Sequence, residues 1–175
     1  MFSDPKKIVP LMQIPVGSKV CDIGAGSGFY TIEVAKNLAN TGKVFSIDVQ
    51  KNILSKIQSD ARSQNLNNVE VLWGDIESEA GLNLREKVMD YCLLCNTLFE
   101  IKNKKKALSE IKRILVPNGK LILVDWSDSF AGIGPAKEYV ISQDEAVKIL
   151  EGEGFVKERN FNAGSHHYGI IFHKL

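Results

Sequence analysis

The chain has 175 residues, 44% of them hydrophobic and 25% charged, enough to close one ordinary core without a partner. Its 22 Lys and Arg offset 21 Asp and Glu to a formal charge of +1. That balance leaves no basic field to hold a nucleic-acid backbone or an anionic membrane, and it favours a small-molecule ligand. No run approaches the roughly 18 apolar residues of a membrane span. Met1 to Lys7 lack the charged-then-apolar order of a signal peptide, so a cytoplasmic protein is expected.

Asp4 and Pro5 open a short helix as N-cap and first helical residue, with Ile8, Val9, Leu11 and Met12 as its apolar positions and Pro10 as a kink or stop. After a turn at 15–18, residues 19–23 predict a strand that runs into a glycine cluster and then a helix from Phe29 to Leu38. The unit recurs: a strand at 43–47, a helix from Gln50 towards Asn65 with Ile53, Leu54, Ile57 and Ala61 on one face, and a strand at 69–73. Residues 88–95 are an apolar run of the kind covered on both faces, which places that strand mid-sheet.

A helix from Lys104 to Leu115 stops at Pro117-Asn118-Gly119, and a fifth strand follows at 120–125. Beyond a loop from Trp126 to Ile141, Ser142 to Glu145 form a capping box for a helix stopped by Gly152 and Gly154. Residues 155–161 and 167–172, joined at Asn162-Ala163-Gly164, read as a hairpin, so one edge strand is expected to run against the rest. The alternation predicts an α/β fold, a doubly wound and mostly parallel sheet with helices on both faces. A single domain over 1–175 is expected. Cys21, Cys92 and Cys95 lie in strand-like runs and read as packing. Cys92 and Cys95 spell C-x-x-C, but no second pair or nearby His completes a zinc set, and no metal is expected.

The loop Asp22-Ile23-Gly24-Ala25-Gly26-Ser27-Gly28 sits where a strand gives way to a helix, the edge at which open α/β sheets bind ligands. A dinucleotide loop of the G-x-G-x-x-G type needs its third glycine at position 29, where Phe29 stands. Asp22 would also repel a pyrophosphate. An acidic group beside a glycine loop suits a ligand with a cationic end, such as the sulfonium and ammonium of S-adenosylmethionine. Asp48 ends the second strand, where a carboxylate can accept from both hydroxyls of a ribose or can cap the next helix. Asp75 can receive an adenine amino group between Ile76 and Val49, or can be a turn aspartate.

Together these positions resemble the class I, Rossmann-like S-adenosylmethionine-dependent methyltransferases over nearly the whole chain. Val20 to Thr31 is similar to the family's first motif, Ser46-Ile47-Asp48 to its ribose motif, Gly74-Asp75-Ile76 to its adenine motif, and Ala107 to Lys120 to the segment entering its fifth strand. The resemblance implies a seven-stranded sheet with the last strand antiparallel. It also implies cofactor contacts from Asp22, Gly24, Ala25, Gly26, Gly28 and Phe29, from Asp48 and Val49, from Gly74, Asp75 and Ile76, and from Asn96. The stretch from Met89 to Glu100 is similar to the small-molecule group that includes quinone-biosynthesis methyltransferases. It departs from the Asn/Asp-Pro-Pro-Tyr/Phe signature of nucleic-acid amino-methylating relatives.

Methyl transfer from a sulfonium is an in-line displacement, so alignment in a dry pocket can supply most of the catalysis. If the acceptor must lose a proton, Glu100, His166 and His167 are the candidate catalytic residues. Trp126, Tyr139 and Tyr168 stand near the same mouth. Lys102 to Lys106 read as a solvated loop. The acceptor is expected to be gripped by the N-terminal helix, by the 127–141 loop acting as a lid, or by a second subunit of a homodimer. The competing reading from another class is a partner subunit or sensor that binds S-adenosylmethionine without catalysis.

Overall fold

The computed structural model describes residues 3–130 and 132–175. Met1 and Phe2, at the start of the segment weighed as a leader, and Ala131, within the expected lid loop, lie outside the described residues.

The first helix, α1 (Pro5–Met12), forms as its caps dictate. Asp4 accepts from the Lys6 amide at 3.2 Å, and the helix ends where Gln13, at φ 55°, returns its amide to Pro10. There follow β1 (Lys19–Ile23), α2 (Phe29–Asn37), β2 (Lys43–Asp48), α3 (Lys51–Ser63), β3 (Val69–Trp73), β4 (Met89–Cys95), α4 (Lys104–Ile114), β5 (Leu115–Trp126), α5 (Gln143–Gly152), β6 (Phe155–Asn162) and β7 (His167–Lys174). A short 3-10 turn, Lys137–Tyr139, interrupts the loop after β5.

The seven strands form one sheet in the order β3-β2-β1-β4-β5-β7-β6. All pairs up to β4–β5 are parallel, and β7 is antiparallel to both neighbours. The last strand is therefore the reversed one, but it is not at the edge as expected. It inserts between β5 and β6. Burial explains the order: β7 is buried from His167 through Phe172, whereas β6 alternates and exposes part of its charged Lys157-Glu158-Arg159 run, as an edge strand should. A second difference lies at β5, which begins at Leu115, paired with Met89, rather than at Lys120. Asn118, at φ 60°, turns the chain within that irregular start.

One core packs α4 and α5 on the sheet through Leu108, Ile111, Leu121, Leu123 and Phe172. The other packs α1 and α2 through Met12, Val34, Leu38, Val20 and Ile122. Each such side chain, fully buried, contributes about 1.5–3 kcal/mol. Because both faces are covered, Cys92, Leu93 and Leu94 are all fully buried on β4. Cys92 belongs to one core and Cys95 to the other, so the C-x-x-C spacing points its two thiols to opposite faces of the strand. Cys21 lies in register beside Cys92, and burial pushes its thiol well above the ordinary range. Among the described residues no helix is long and apolar enough to cross a membrane.

Candidate active site

A cavity of about 490 Å³ opens at the carboxyl ends of β1, β2 and β4. Its floor is the glycine loop. The amides of Gly24 and Ala25 both donate to the Ile47 carbonyl, at 2.9 and 3.0 Å, which staples the loop to the end of β2. Asp48 completes the staple: one carboxylate oxygen accepts from Gly26 at 3.0 Å and the other from Gln50 at 2.9 Å. Asp48 thus closes a turn just before α3, whose N-cap is Gln50 without a side-chain cap, and it also stands in the cavity wall.

The glycines serve different purposes. A Cβ on Gly24 would come within 2.6 Å of Thr97, so this glycine lets β1 close against the turn after β4. At Gly26 the nearest atom would be 3.9 Å away, on the side open to ligand. Gly28, at φ 77°, would drive a Cβ to 2.5 Å from Ile57. It packs against α3 and, unlike its neighbours Ser27 and Phe29, does not line the cavity.

From the loop, Gly24, Ala25, Gly26 and Phe29 face the cavity. Asp48 and Val49 join them from β2, Gly74, Asp75 and Ile76 from the end of β3, and Asn96 and Glu100 from the turn after β4. Asp75 also accepts from the Glu77 amide at 2.8 Å, so the turn reading holds for one of its oxygens.

Asp22 is not in the wall. It is 1% exposed beneath the loop, with the Thr31 hydroxyl donating to it at 2.6 Å. Burial raises its pKa to about 6, the Thr31 bond opposes the rise, and the negative Asp48 adds to it. The reason for the correction is that β1 is covered on both faces, so exposure begins only past Ile23.

His166 and His167 are likewise outside the cavity lining, at the β5–β7 end of the sheet. His166 meets Asp128, with Nδ1 at 2.7 Å from its carboxylate, and stacks on Phe130 at 4.2 Å. His167 stacks on Trp126 at 4.2 Å. The structure therefore does not bring Glu100 together with either histidine.

Two lining residues, and one buried carboxylate outside the lining, escaped the sequence reading. Ser3 and Tyr30 line the cavity, and their hydroxyls hydrogen-bond each other across 27 residues, so the start of α1 covers the site. Asp125, 1% exposed near the end of β5, accepts from the Trp126 amide at 2.8 Å. Burial raises its pKa to about 6. The Trp126, Phe99 and Leu98 amides oppose the rise, and the charge of Glu100 adds to it. A buried carboxylate at a strand end has no distinguishing spacing in sequence, and the Ser3–Tyr30 contact is long-range.

The chemistry of the wall is one-sided. Asp48, Asp75, Glu77 and Glu100 face the cavity, with no Lys, Arg or His among its described lining residues. Such a wall repels a pyrophosphate and attracts a cation. The Asn96 side-chain oxygen is buried there with no hydrogen-bond partner among the described residues, an acceptor that a bound ligand can satisfy. These features fit S-adenosylmethionine. Among the described residues no group of three or more His, Cys, Asp or Glu could hold a metal ion.

The family model of the methyltransferase domain matches residues 14–159. The demethylmenaquinone methyltransferase of Oceanobacillus iheyensis is 26% identical over 180 residues, covering 91% of this chain and 74% of that protein. The one from Bacillus cereus is 28% identical over 122 residues, 70% of this chain and 50% of that protein, so the chain spans between half and three-quarters of these relatives. A crystal structure of a SAM-dependent methyltransferase from Aquifex aeolicus superposes with a TM-score of 0.90 at 29% identity, covering 99% of this chain and 91% of that one. The [4+2]-cyclase SpnF shares the fold, with a TM-score of 0.82 at 17% identity over 97% of this chain and 80% of its own.

Proposed function

The chain belongs to the S-adenosylmethionine-dependent methyltransferases, and from that premise we propose that it methylates a small-molecule acceptor. The observation that carries the reading is the acidic wall built by Asp48, Asp75, Glu77 and Glu100, with no cation among its described lining residues. It suits a positively charged methyl donor and offers nothing to a nucleic-acid backbone. The likeness to demethylmenaquinone methyltransferases supports a small acceptor without naming it.

S-adenosylmethionine supplies an activated methyl group when bound. Asp48, 7% exposed and anchored through both oxygens, offers its remaining lone pairs to ribose hydroxyls. Asp75 and Ile76 flank the adenine end, and Val49, 54% exposed, gives that end an apolar face. Asn96 receives a donor from the amino-acid end. Ser3 and Tyr30 close the side wall and exclude water, which strengthens every charge interaction inside. Glu100 is the wall carboxylate nearest in sequence to the turn that presents Asn96, and it is placed to hold a cationic or protic acceptor.

Transfer of a labelled methyl group to a panel of small phenols, amines and thiols, with the purified chain alone, tests the reading. Turnover on at least one acceptor is expected. Tight cofactor binding with no turnover on any of them would favour a binding subunit instead.

A further inference from the structure

Trp73, the last residue of β3, is 59% exposed. An indole left that open gains little from burial, so packing does not account for its place. Its N–H donates to the Val49 carbonyl at 3.0 Å. Lys51 Nζ lies 5.9 Å from the centroid of the same ring, within cation–π range. Together these contacts hold the indole across the turn that leads from β2 into α3.

That turn is a wall of the cavity: Asp48, Val49 and Gln50 all line it. The β2–β3 ladder ends at the Asp48–Trp73 pair. Just past it the Gly74 amide meets the Asp48 carbonyl at 3.3 Å, a long bond, and the indole reaches one residue further. Asp48 secures its own side of the turn through the Gln50 amide at 2.9 Å, whereas the Val49 carbonyl takes its bond from β3. Because β3 is an edge strand, no further strand stands behind it to hold the turn in place of Trp73. Without the indole donor the Val49–Gln50 peptide is free to swing its carbonyl to water, and the Val49 side chain moves with it. Trp73 does not itself line the cavity, so its effect on a bound ligand passes through Val49.

We infer that Trp73 is a positioning residue for the methyl donor: its indole N–H fixes the Val49 carbonyl, and with it the wall against which the adenosine half of S-adenosylmethionine packs. This rests on the adenine end lying beside Val49 and Asp75, as proposed above, and names the group outside the cavity that sets the shape of that wall.

Calorimetric titration of S-adenosylhomocysteine into the wild-type chain, Trp73→Phe and Trp73→Leu tests it. Both variants lack the N–H, and both should bind about three- to tenfold more weakly, the equivalent of one net hydrogen bond. Tm should fall by no more than about 4 °C, because the ring is largely exposed. In 15N-labelled wild type, Trp73→Phe assigns the Trp73 indole signal by its loss. Exchange of that indole proton with water should slow on adding S-adenosylhomocysteine or adenosine, and should not respond to methionine. Affinity equal to wild type in Trp73→Phe overturns the inference, and so does a loss confined to Trp73→Leu, which would mean that the ring and not the N–H is used. If neither variant folds, the indole exchange in the wild type decides, and a proton indifferent to adenosine overturns the inference equally. Failure of S-adenosylhomocysteine to bind the wild type overturns the cofactor reading beneath it and this inference with it.

Discussion

Replacing Gly28 by Ala separates the two jobs of the glycine loop. Gly28 sits at φ 77°, and an added Cβ would lie 2.5 Å from Ile57 Cγ1 and 3.1 Å from its Cδ1. The left-handed backbone costs a non-glycine residue roughly 1–2 kcal/mol, and forcing a methyl into a packed contact costs about 1–3 more. The total of roughly 2–5 kcal/mol corresponds to a drop in Tm of about 4–20 °C for a chain of this size. Gly26→Ala carries the same backbone cost at φ 51° but meets nothing closer than 3.9 Å, so its Tm should fall by only about 2–8 °C while cofactor affinity suffers. A double-mutant cycle with Ile57→Ala isolates the clash. Gly28→Ala should cost about 1–3 kcal/mol less in that background, measured by urea unfolding. Strict additivity, or equal melting losses for the two glycine variants, would refute the packing role given to Gly28.

Asp22 predicts a pH dependence. Its folded pKa, about 6, lies above the ordinary carboxyl value, so the folded state holds the proton more tightly. Stability from this group is greatest at low pH and falls as pH rises from about 4 to 6. Asp22→Asn lacks that slope, and its stability relative to wild type should therefore worsen on the order of 2 kcal/mol between pH 7.5 and 4.5. A constant gap in urea midpoints would contradict this. Glu110 clasps the segment before β4, accepting from the Leu82 amide at 2.7 Å and from Arg113 at 2.6 and 2.7 Å. Glu110→Ala should cost about 1–3 kcal/mol in thermal unfolding by orphaning that amide. Tyr30→Phe removes the hydroxyl that holds Ser3 over the cavity. It should speed S-adenosylhomocysteine release by about three- to tenfold in stopped flow, with little change in Tm.

Strand bounds were legible where hydrophobic runs end in turn residues: 19–23 and 69–73 are strands as read, and at 19–23 the apolar run is also the buried one. The place of β7 was not legible. A hairpin specifies which strands pair, and the choice of which one enters the sheet depends on which tolerates burial on both faces. At the site, Gly24, Gly26, Asp48, Asp75 and Asn96 come together as the motif order implied. Asp22 and Gly28 belong to the same motif and yet serve the layers beneath, because their neighbours Thr31 and Ile57 arrive from other elements. The Ser3 cover and the buried Asp125 depend on contacts between distant segments, which spacing alone cannot reveal.

Calorimetric titration of S-adenosylhomocysteine into the wild-type chain and into Asp48→Ala bears most directly on the acidic cavity as the methyl-donor site. Saturable binding at a single site is predicted for the wild type. Asp48→Ala should weaken it by roughly tenfold or more, since it removes both the proposed ribose acceptor and the Gly26 staple. No binding to the wild type, or equal affinity in the two proteins, would contradict the account.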